Sequence, residues 1–351
     1  MPSDDEAPKS KRGERSKPAT ISDVARLAKV SVGTVSNVLN RRSSVSQARR
    51  ESVLKAIEEV GFSVSILAKG MRAQSTSLVG LCVPHTTFTF LAALADTLEE
   101  RAFGADYELV QVLSRYDPTR ELARIKRLID HRVAGVIIVP GLDPRPVLDT
   151  LHAAELPTVI INRHVPDEQH FDQVTIDHEK AIYDACRQLY AWGHKRVCIA
   201  IQYPELSVTR QRLDAMKKAA RDAGGQAQWT TLETGHDEER FIDIFSSHVR
   251  RRDAPSVIIA SNSMIARWIV NTMRLLGIRC PDDLSLLILE EPEWVLLTDP
   301  PIAAMQQPTR EIGRIAWDRL LARIDGSTEP PQTIRCQVKT NFRASVAGYR
   351  E

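Results

Sequence analysis

The sequence lacks the features that mark an enzyme, a secreted disulfide scaffold or a membrane protein. Its five cysteines (Cys82, Cys186, Cys198, Cys280 and Cys336) are scattered, odd in number and never in CxxC spacing. That pattern favours reduced, mostly buried thiols and argues against a disulfide framework or a metal site. No apolar run approaches the ~18 residues of a membrane span. The N-terminus is charged and polar rather than a signal peptide, so a cytoplasmic protein with no membrane contact is expected. There is no Gly-x-x-x-x-Gly-Lys phosphate loop, no HExxH and no Ser or Cys in a nucleophile-elbow setting. The nine histidines show no ligand spacing. An enzyme is therefore the weakest reading, and no cofactor is implied.

A large net charge is missing too: the balance is only +2 over 351 residues. The even balance hides an asymmetry. Residues 1–76 hold 14 Lys and Arg against 8 Asp and Glu, whereas the remaining 275 hold 33 against 37. A basic head on a mildly acidic body fits a nucleic-acid-binding module joined to something else. The length suggests two or three domains. Residues 1–18 have no periodicity and are rich in charge, Ser and Pro, the composition of a disordered basic tail.

What is present is concentrated in residues 20–40, TISDVARLAKVSVGTVSNVLN. Ile21, Val24, Ala25 and Ala28 fall at i, i+3, i+4 and i+7, the spacing of one helix face. Thr20 and Asp23 form a capping-box-like pair at its start. Ser31 can cap a second helix whose buried stripe is Val35, Val38 and Leu39. The other face, Val32, Gly33, Ser36 and Asn37, is small, mostly polar and poor as core. Two helices joined by about four residues make a helix-turn-helix, whose second helix enters the DNA major groove. An ordinary helical hairpin in a larger core has the same periodicity. A third helix from Ser46 to about Val60, apolar at Val53, Leu54, Ile57 and Val60, can cover the stripe. Residues 63–76 form a junction that is only marginally helical by itself.

From Ser77 onward the texture changes. Short β-rich runs at 78–83, 107–113, 135–139, 158–161, 196–201, 257–260 and 284–289 alternate with helical stretches at 91–103, 119–131, 146–154, 178–192, 209–223, 239–250, 264–276 and 309–324. Such alternation predicts parallel sheets covered on both faces. Seven strands over this length suit two doubly wound lobes, with ligands at the carboxyl ends of the strands.

The order of these parts resembles the lactose-repressor (LacI) family of bacterial transcription regulators over residues 19–345. The most specific blocks are ATISDVARLAKVSVGTVSNVLN and VSQARRESVLKAIEEVGF; in the body LVGLCVP, GVIIVP, PTVIINR, GHKRV, PDDLSLL, PPIAAMQQP and RAS recur in family order. The resemblance implies an all-α helix-turn-helix head at 19–62, a hinge at 63–76 and an α/β two-lobed, periplasmic-binding-protein-like body of doubly wound parallel sheets at 77–345. Lobe one is expected at about 77–162 plus 295–325, and lobe two at about 163–294 plus 326–345. It further implies a homodimeric regulator, a repressor by preference, on a pseudo-palindromic double-stranded DNA operator.

Carried over residue by residue, the family's base-reading positions fall on Val32, Gly33 and Asn37. Val32 can touch a thymine methyl and Asn37 can pair with adenine, while Gly33 has no side chain to offer. Thr34 and Ser36 are candidates for phosphate or base contacts, and Thr20, Ser31 and Asn40 for phosphate. In the hinge Lys69 and Arg72 keep the family's basic character. Met71 stands where a leucine usually wedges between minor-groove base steps.

For the effector, the resemblance points to a small polar metabolite, a sugar or sugar derivative, between the lobes. The matching positions are His85 and Phe88 in the first loop, Asn162, Arg212 with Arg210 beside it, Asn262 and Glu290; Trp294 and Phe88 are placed to stack on a ring. Departures are frequent. His85 and Ser263 replace common aspartates, and Glu290-Glu291 replaces an acid pair. Arg210, Arg212 and His85 add positive charge that suits an anion. The competing readings are a regulator controlled by a protein partner or by no ligand, and a cytoplasmic solute-binding protein.

Overall fold

The computed structural model describes residues 20–39, 45–60, 76–87 and 89–348. The chain divides into two compact units, 1–73 and 74–351.

The first unit carries three helices, α1 (Ile21–Leu27), α2 (Val32–Leu39) and α3 (Gln47–Val60). Their shared interior is Val24, Ala25, Ala28, Val35, Val38, Val53 and Ala56, with Val30, Val45, Ile57 and Val60 at its margin. Val24, Ala25 and Ala28 of α1 and Val35 and Val38 of α2 are thus buried with Val53 and Ala56 of α3, as the spacing predicts; the side chains of Ile21 and Leu39 lie outside what is described. Leu54 departs from the reading: it is 52% exposed.

The second unit contains two six-stranded sheets. The first lobe is built on β1 (Leu78–Val83), β2 (Glu108–Leu113), β3 (Gly135–Ile138), β4 (Thr158–Ile161), β5 (Asp172–Ile176) and β11 (Thr333–Cys336), in the order β11-β5-β4-β3-β1-β2. Every pairing in this sheet is parallel. The second lobe is built on β6 (Arg196–Ile201), β7 (Gln228–Glu233), β8 (Val257–Ala260), β9 (Ser285–Ile288), β10 (Ala303–Gln306) and β12 (Lys339–Asn341), in the order β12-β10-β9-β8-β6-β7. Only β12 runs antiparallel to its neighbour.

Both sheets are covered on both faces, which is why their strands read as apolar runs. In lobe one, Leu81 and Ile137 face α4 (Thr89–Gly104) and α11 (Thr309–Ile324). Their neighbours Cys82, Val136 and Ile138 face α5 (Pro118–Asp130) and α6 (Arg145–Ala153). In lobe two, Ile199 and Ile259 pack on α7 (His178–Ala191) and α8 (Ser207–Ala223), whereas Cys198 and Ile258 pack on α9 (Glu238–Val249) and α10 (Ser263–Leu276). Successive residues take opposite faces, the period of two that a pleated strand imposes.

The lobe boundaries differ from the sequence reading. The chain passes between lobes at Asp177, at residues 307–308 and at residues 337–338, rather than near 163, 295 and 326. The segment containing β5 therefore belongs to lobe one, and β10 to lobe two. Strand β5 escapes sequence reading because it begins with Asp172, a charge compensated by Arg319 and Arg323 of α11 at 2.8 Å each. The other strands absent from the reading, β7, β10, β11 and β12, are polar or only three or four residues long, or both.

Candidate functional site

At the head, Thr20 caps α1: its hydroxyl accepts from Asp23 N at 3.4 Å, and its own N–H donates to Asp23 Oδ2 at 3.0 Å. Ser31 caps α2 by accepting from Thr34 N at 3.1 Å, with the two hydroxyls 2.9 Å apart. These reciprocal bonds satisfy amides that a helix start leaves without partners. The same hydroxyls lie at positive helix ends, where a phosphate would also be favoured. Opposite the buried Val35 and Val38, Val32 is 39% exposed, Gly33 is exposed, and Thr34 and Asn37 are half-buried. An added Cβ at Gly33 would meet nothing nearer than Ser31 Oγ at 3.7 Å. Val32 and Gly33 are thus open on α2, with Thr34 and Asn37 partly so.

In the body, the polar groups converge between the lobes. Pro84, Tyr116, Val139, Asn162 and Arg163 come from the loops after β1–β4. Gln202, Tyr203, Ser261, Asn262 and Glu290 come from those after β6, β8 and β9, and Arg212 from α8. With Phe90, Leu91, Leu206, Val208 and Thr209 they line a cleft with a cavity volume of about 70 Å³. The site lies at the carboxyl ends of both sets of strands, where the strand order reverses.

The electrostatics are unusual for so small a space. Arg163 and Arg212 are 4% and 9% exposed. Arg163 donates to the Tyr116 hydroxyl at 3.3 Å and lies 5.7 Å from the centre of that ring. Arg212 reaches the Ser261 carbonyl at 3.4 Å and His178 Nδ1 at 3.5 Å. Burial and the neighbouring Arg163 lower the Arg212 pKa to about 10, which still leaves it charged at neutral pH. Burial and the two arginines hold His178 well below its usual range, so it accepts as a neutral imidazole. Glu290 is buried, and its Oε2 accepts from Ser263 N at 3.1 Å. Burial raises its pKa against the pull of Ser263 and Arg212. Asn262 Oδ1 is committed to capping α10, accepting from Ile265 N at 2.9 Å.

A model of bacterial regulatory proteins of the lacI family matches residues 20–65, and one of the periplasmic binding proteins and sugar binding domain of LacI family matches residues 76–344. The chain belongs to the LacI family. It is a DNA-binding transcription regulator and not an enzyme. Among LacI-family relatives, the HTH-type transcriptional repressor PurR of Photobacterium profundum is 26% identical, with 93% of this chain and 98% of the relative covered. The HTH-type transcriptional regulator KdgR of Bacillus subtilis is 28% identical over 93% of this chain and 97% of its own. The crystal structure of the lac repressor dimer bound to operator and the anti-inducer ONPF has the same fold, with a TM-score of 0.81 at 21% identity over 94% of this chain and 100% of that one.

Of the effector positions taken from the LacI-family pattern, the structure brings Asn162, Arg212, Asn262 and Glu290 together in the cleft. Three others lie elsewhere. Arg210 is exposed on the outer side of α8, two residues and so about 200° from Arg212. Trp294 packs at the edge of the lobe-two core. His85 sits beside Arg115 Nη1, 3.0 Å from its Nδ1, and against the Tyr116 ring. Burial and Arg115 lower its pKa, so it supplies no cation. Phe88, Asn40, Lys69, Met71 and Arg72 lie outside the described residues, and of Ser36 only the backbone, in α2, is described. The residues that the sequence reading left out are Tyr116, Gln202 and Tyr203. Arg163 is the second half of the Asn162-Arg163 dipeptide that the LacI-family pattern matches, and the structure places it in the cleft; the other three carry no local signal beyond their place after a strand.

Proposed function

We propose that this regulator is a repressor that binds a pseudo-palindromic operator as a homodimer in the cytoplasm, and that it answers to a small polar metabolite held between its lobes. The observation that carries the reading is the convergence of charged and polar side chains from both lobes on one cleft: Asn162 and Arg163 from one, Arg212, Asn262 and Glu290 from the other. A ligand touching both sets interacts differently with open and closed arrangements of the lobes, and only such differential affinity can shift an equilibrium between them.

On the DNA side, Val32 and Asn37 read base edges, Thr34 and Ser36 contact bases or phosphate, and Gly33 lets the helix approach closely. Thr20, Ser31 and Asn40 hold phosphates. Lys69 and Arg72 add backbone attraction, and Met71 is the wedge in the minor groove. With so few reading side chains, specificity leans on DNA shape.

The test couples two measurements on the full chain: a thermal-shift screen of small polar metabolites, then operator affinity with and without each stabilising compound. The expected result is a compound that raises Tm and changes operator Kd at least fivefold. A compound that binds in the cleft and leaves DNA affinity unchanged would count against allosteric control.

A further inference from the structure

The cleft buries two guanidiniums without a counter-ion. Arg163 belongs to lobe one and Arg212 to lobe two, and among the described residues no Asp or Glu lies within 4.0 Å of either. Their hydrogen-bond partners, the Tyr116 hydroxyl, the Ser261 carbonyl and His178 Nδ1, are neutral, and none lies closer than 3.3 Å. Arg163 Nε and Nη1 and Arg212 Nε are buried with no partner. Two acceptors in the same lining, Asn162 Oδ1 and Gln202 Oε1, are equally bare.

An arginine cannot shed its proton to escape such a position, and an uncompensated buried charge costs several kcal/mol. The nearby acids do little to offset it. Glu290 acts on Arg212, and Glu121 on Arg163, only from beyond ion-pair distance. Glu290 is engaged by the Ser263 amide, and both Glu121 oxygens by the Gly141 amide at 3.0 and 3.2 Å. Burial biases both carboxyls toward their neutral forms. The cleft thus offers three buried N–H donors suited to an anion and two amide oxygens suited to hydroxyl hydrogens.

We propose that the cleft takes a small polyhydroxylated anion, its acid group bridging Arg163 and Arg212 and its hydroxyls donating to Asn162 and Gln202. The proposal rests on the reading of the cleft as the ligand site and adds the charge of the ligand. Arg163 and Arg212 come from opposite lobes, so the acid group joins them across the cleft. Planar guanidinium forks suit a carboxylate or a phosphate ester equally. With a cavity of about 70 Å³, the lobes as they stand leave room for a compact group rather than a nucleotide.

The test is calorimetric titration and thermal shift of the full chain with three matched sets of probes at constant ionic strength. The sets are hexonates and hexuronates, hexose and pentose phosphates, and the neutral parent sugars. We expect an anionic probe to bind at least tenfold tighter than its neutral parent, and Arg163→Met and Arg212→Met each to weaken it at least tenfold. Without ligand, the Arg163→Met protein is expected to melt no lower than the parent, because it loses a charge that has no counter-ion. Arg163→Lys, which keeps the charge and loses the fork, gives a second reading should the Met variant fail to fold; it is expected to weaken the anion severalfold. Whether carboxylates or phosphates bind distinguishes the two sources of the acid group. Neutral sugars binding as well as anions would overturn the proposal while leaving the cleft as the ligand site, as would anion binding indifferent to every arginine substitution. Silence from all three sets would overturn the ligand-site reading together with the proposal.

Discussion

Gln337 Nε2 donates to Asp177 Oδ2 at 3.3 Å and thereby ties together two of the three segments that pass between the lobes. The other carboxylate oxygen of Asp177 accepts from Lys180 N at 3.1 Å and caps α7. One side chain thus starts a lobe-two helix and fastens the crossover beside it. Asp177→Ala is expected to cost roughly 0.5–2 kcal/mol, the range for a lost N-cap. Gln337→Ala, which keeps the cap, should cost less. Urea melts of the two variants check the order; a larger loss for Gln337→Ala would contradict it.

Asp172 gives a clear acid-side prediction. It is fully buried, and it accepts from Arg319 Nη2 and Arg323 Nε at 2.8 Å each and from Gln332 N at 2.9 Å. Burial alone would raise its pKa, but Arg323, the Gln332 amide and Arg319 together hold it below 3.8. A carboxyl depressed by folding contributes stability above its unfolded pKa, and that contribution is lost as pH falls through the native value. Asp172→Ala strands two guanidiniums and is expected to cost about 3–5 kcal/mol at pH 7. Below pH 4 the gap to the parent should narrow. Denaturation midpoints at both pH values decide it, and a gap that stays constant would rule out the linkage.

Glu121 has the opposite sign. Burial raises its carboxyl to about 7, against the Gly141 amide and Arg163, which lower it. The native protein keeps a proton that the unfolded chain releases near 4.5, so this group's contribution to stability declines between about 4.5 and 7 as pH rises. Glu121→Gln keeps an acceptor for Gly141. It is expected to raise Tm at pH 8, by the equivalent of about 1–3 kcal/mol, and to leave it nearly unchanged below pH 4.5. Equal shifts at both ends would disprove the assignment.

On the DNA face, Asn37→Ala should relax preference at one half-site position, at a cost of roughly 1–3 kcal/mol. Selection from a randomised operator pool measures this directly; an unchanged preference removes Asn37 from the reading set.

Gly33 offers a separate test, since nothing closer than 3.7 Å opposes a Cβ there. Gly33→Ala is expected to stabilise the head by up to about 1 kcal/mol through helix propensity. If approach to DNA needs the bare backbone, the same change weakens operator binding. Melting of the head and operator titration separate the two effects.

Much of this was legible in the sequence. The head could be read because its signals are local: a 3.6-residue period at Val24, Ala25 and Ala28, and caps at Thr20 and Ser31. The central strands could be read because burial on both faces demands unbroken apolar runs such as GVII and VIIA. Strand β5 could not, because the partner that makes Asp172 tolerable lies 147 residues further along. The cleft shows the same division. Asn162, Arg212, Asn262 and Glu290 stand at positions a family pattern can fix. The pairing of Arg163 with Arg212 across the lobes depends on three-dimensional proximity, and Arg210 and His85 were plausible cations until orientation and neighbours were known.

The three crossovers also bear on how the chain matures during synthesis. Lobe one draws its helix α11 and its outermost strand β11 from residues that emerge only after most of lobe two has been made. Ile312, Ala316, Trp317 and Leu320, which seal one face of the first sheet, are at most 2% exposed in the finished protein. Until they leave the ribosome, that face stays uncovered, and lobe two still waits for β12. Lobe one is therefore incomplete until β11 has been translated, and lobe two until β12 has. A chain that stops short of α11 leaves both lobes unfinished and the apolar face of the first sheet open to aggregation.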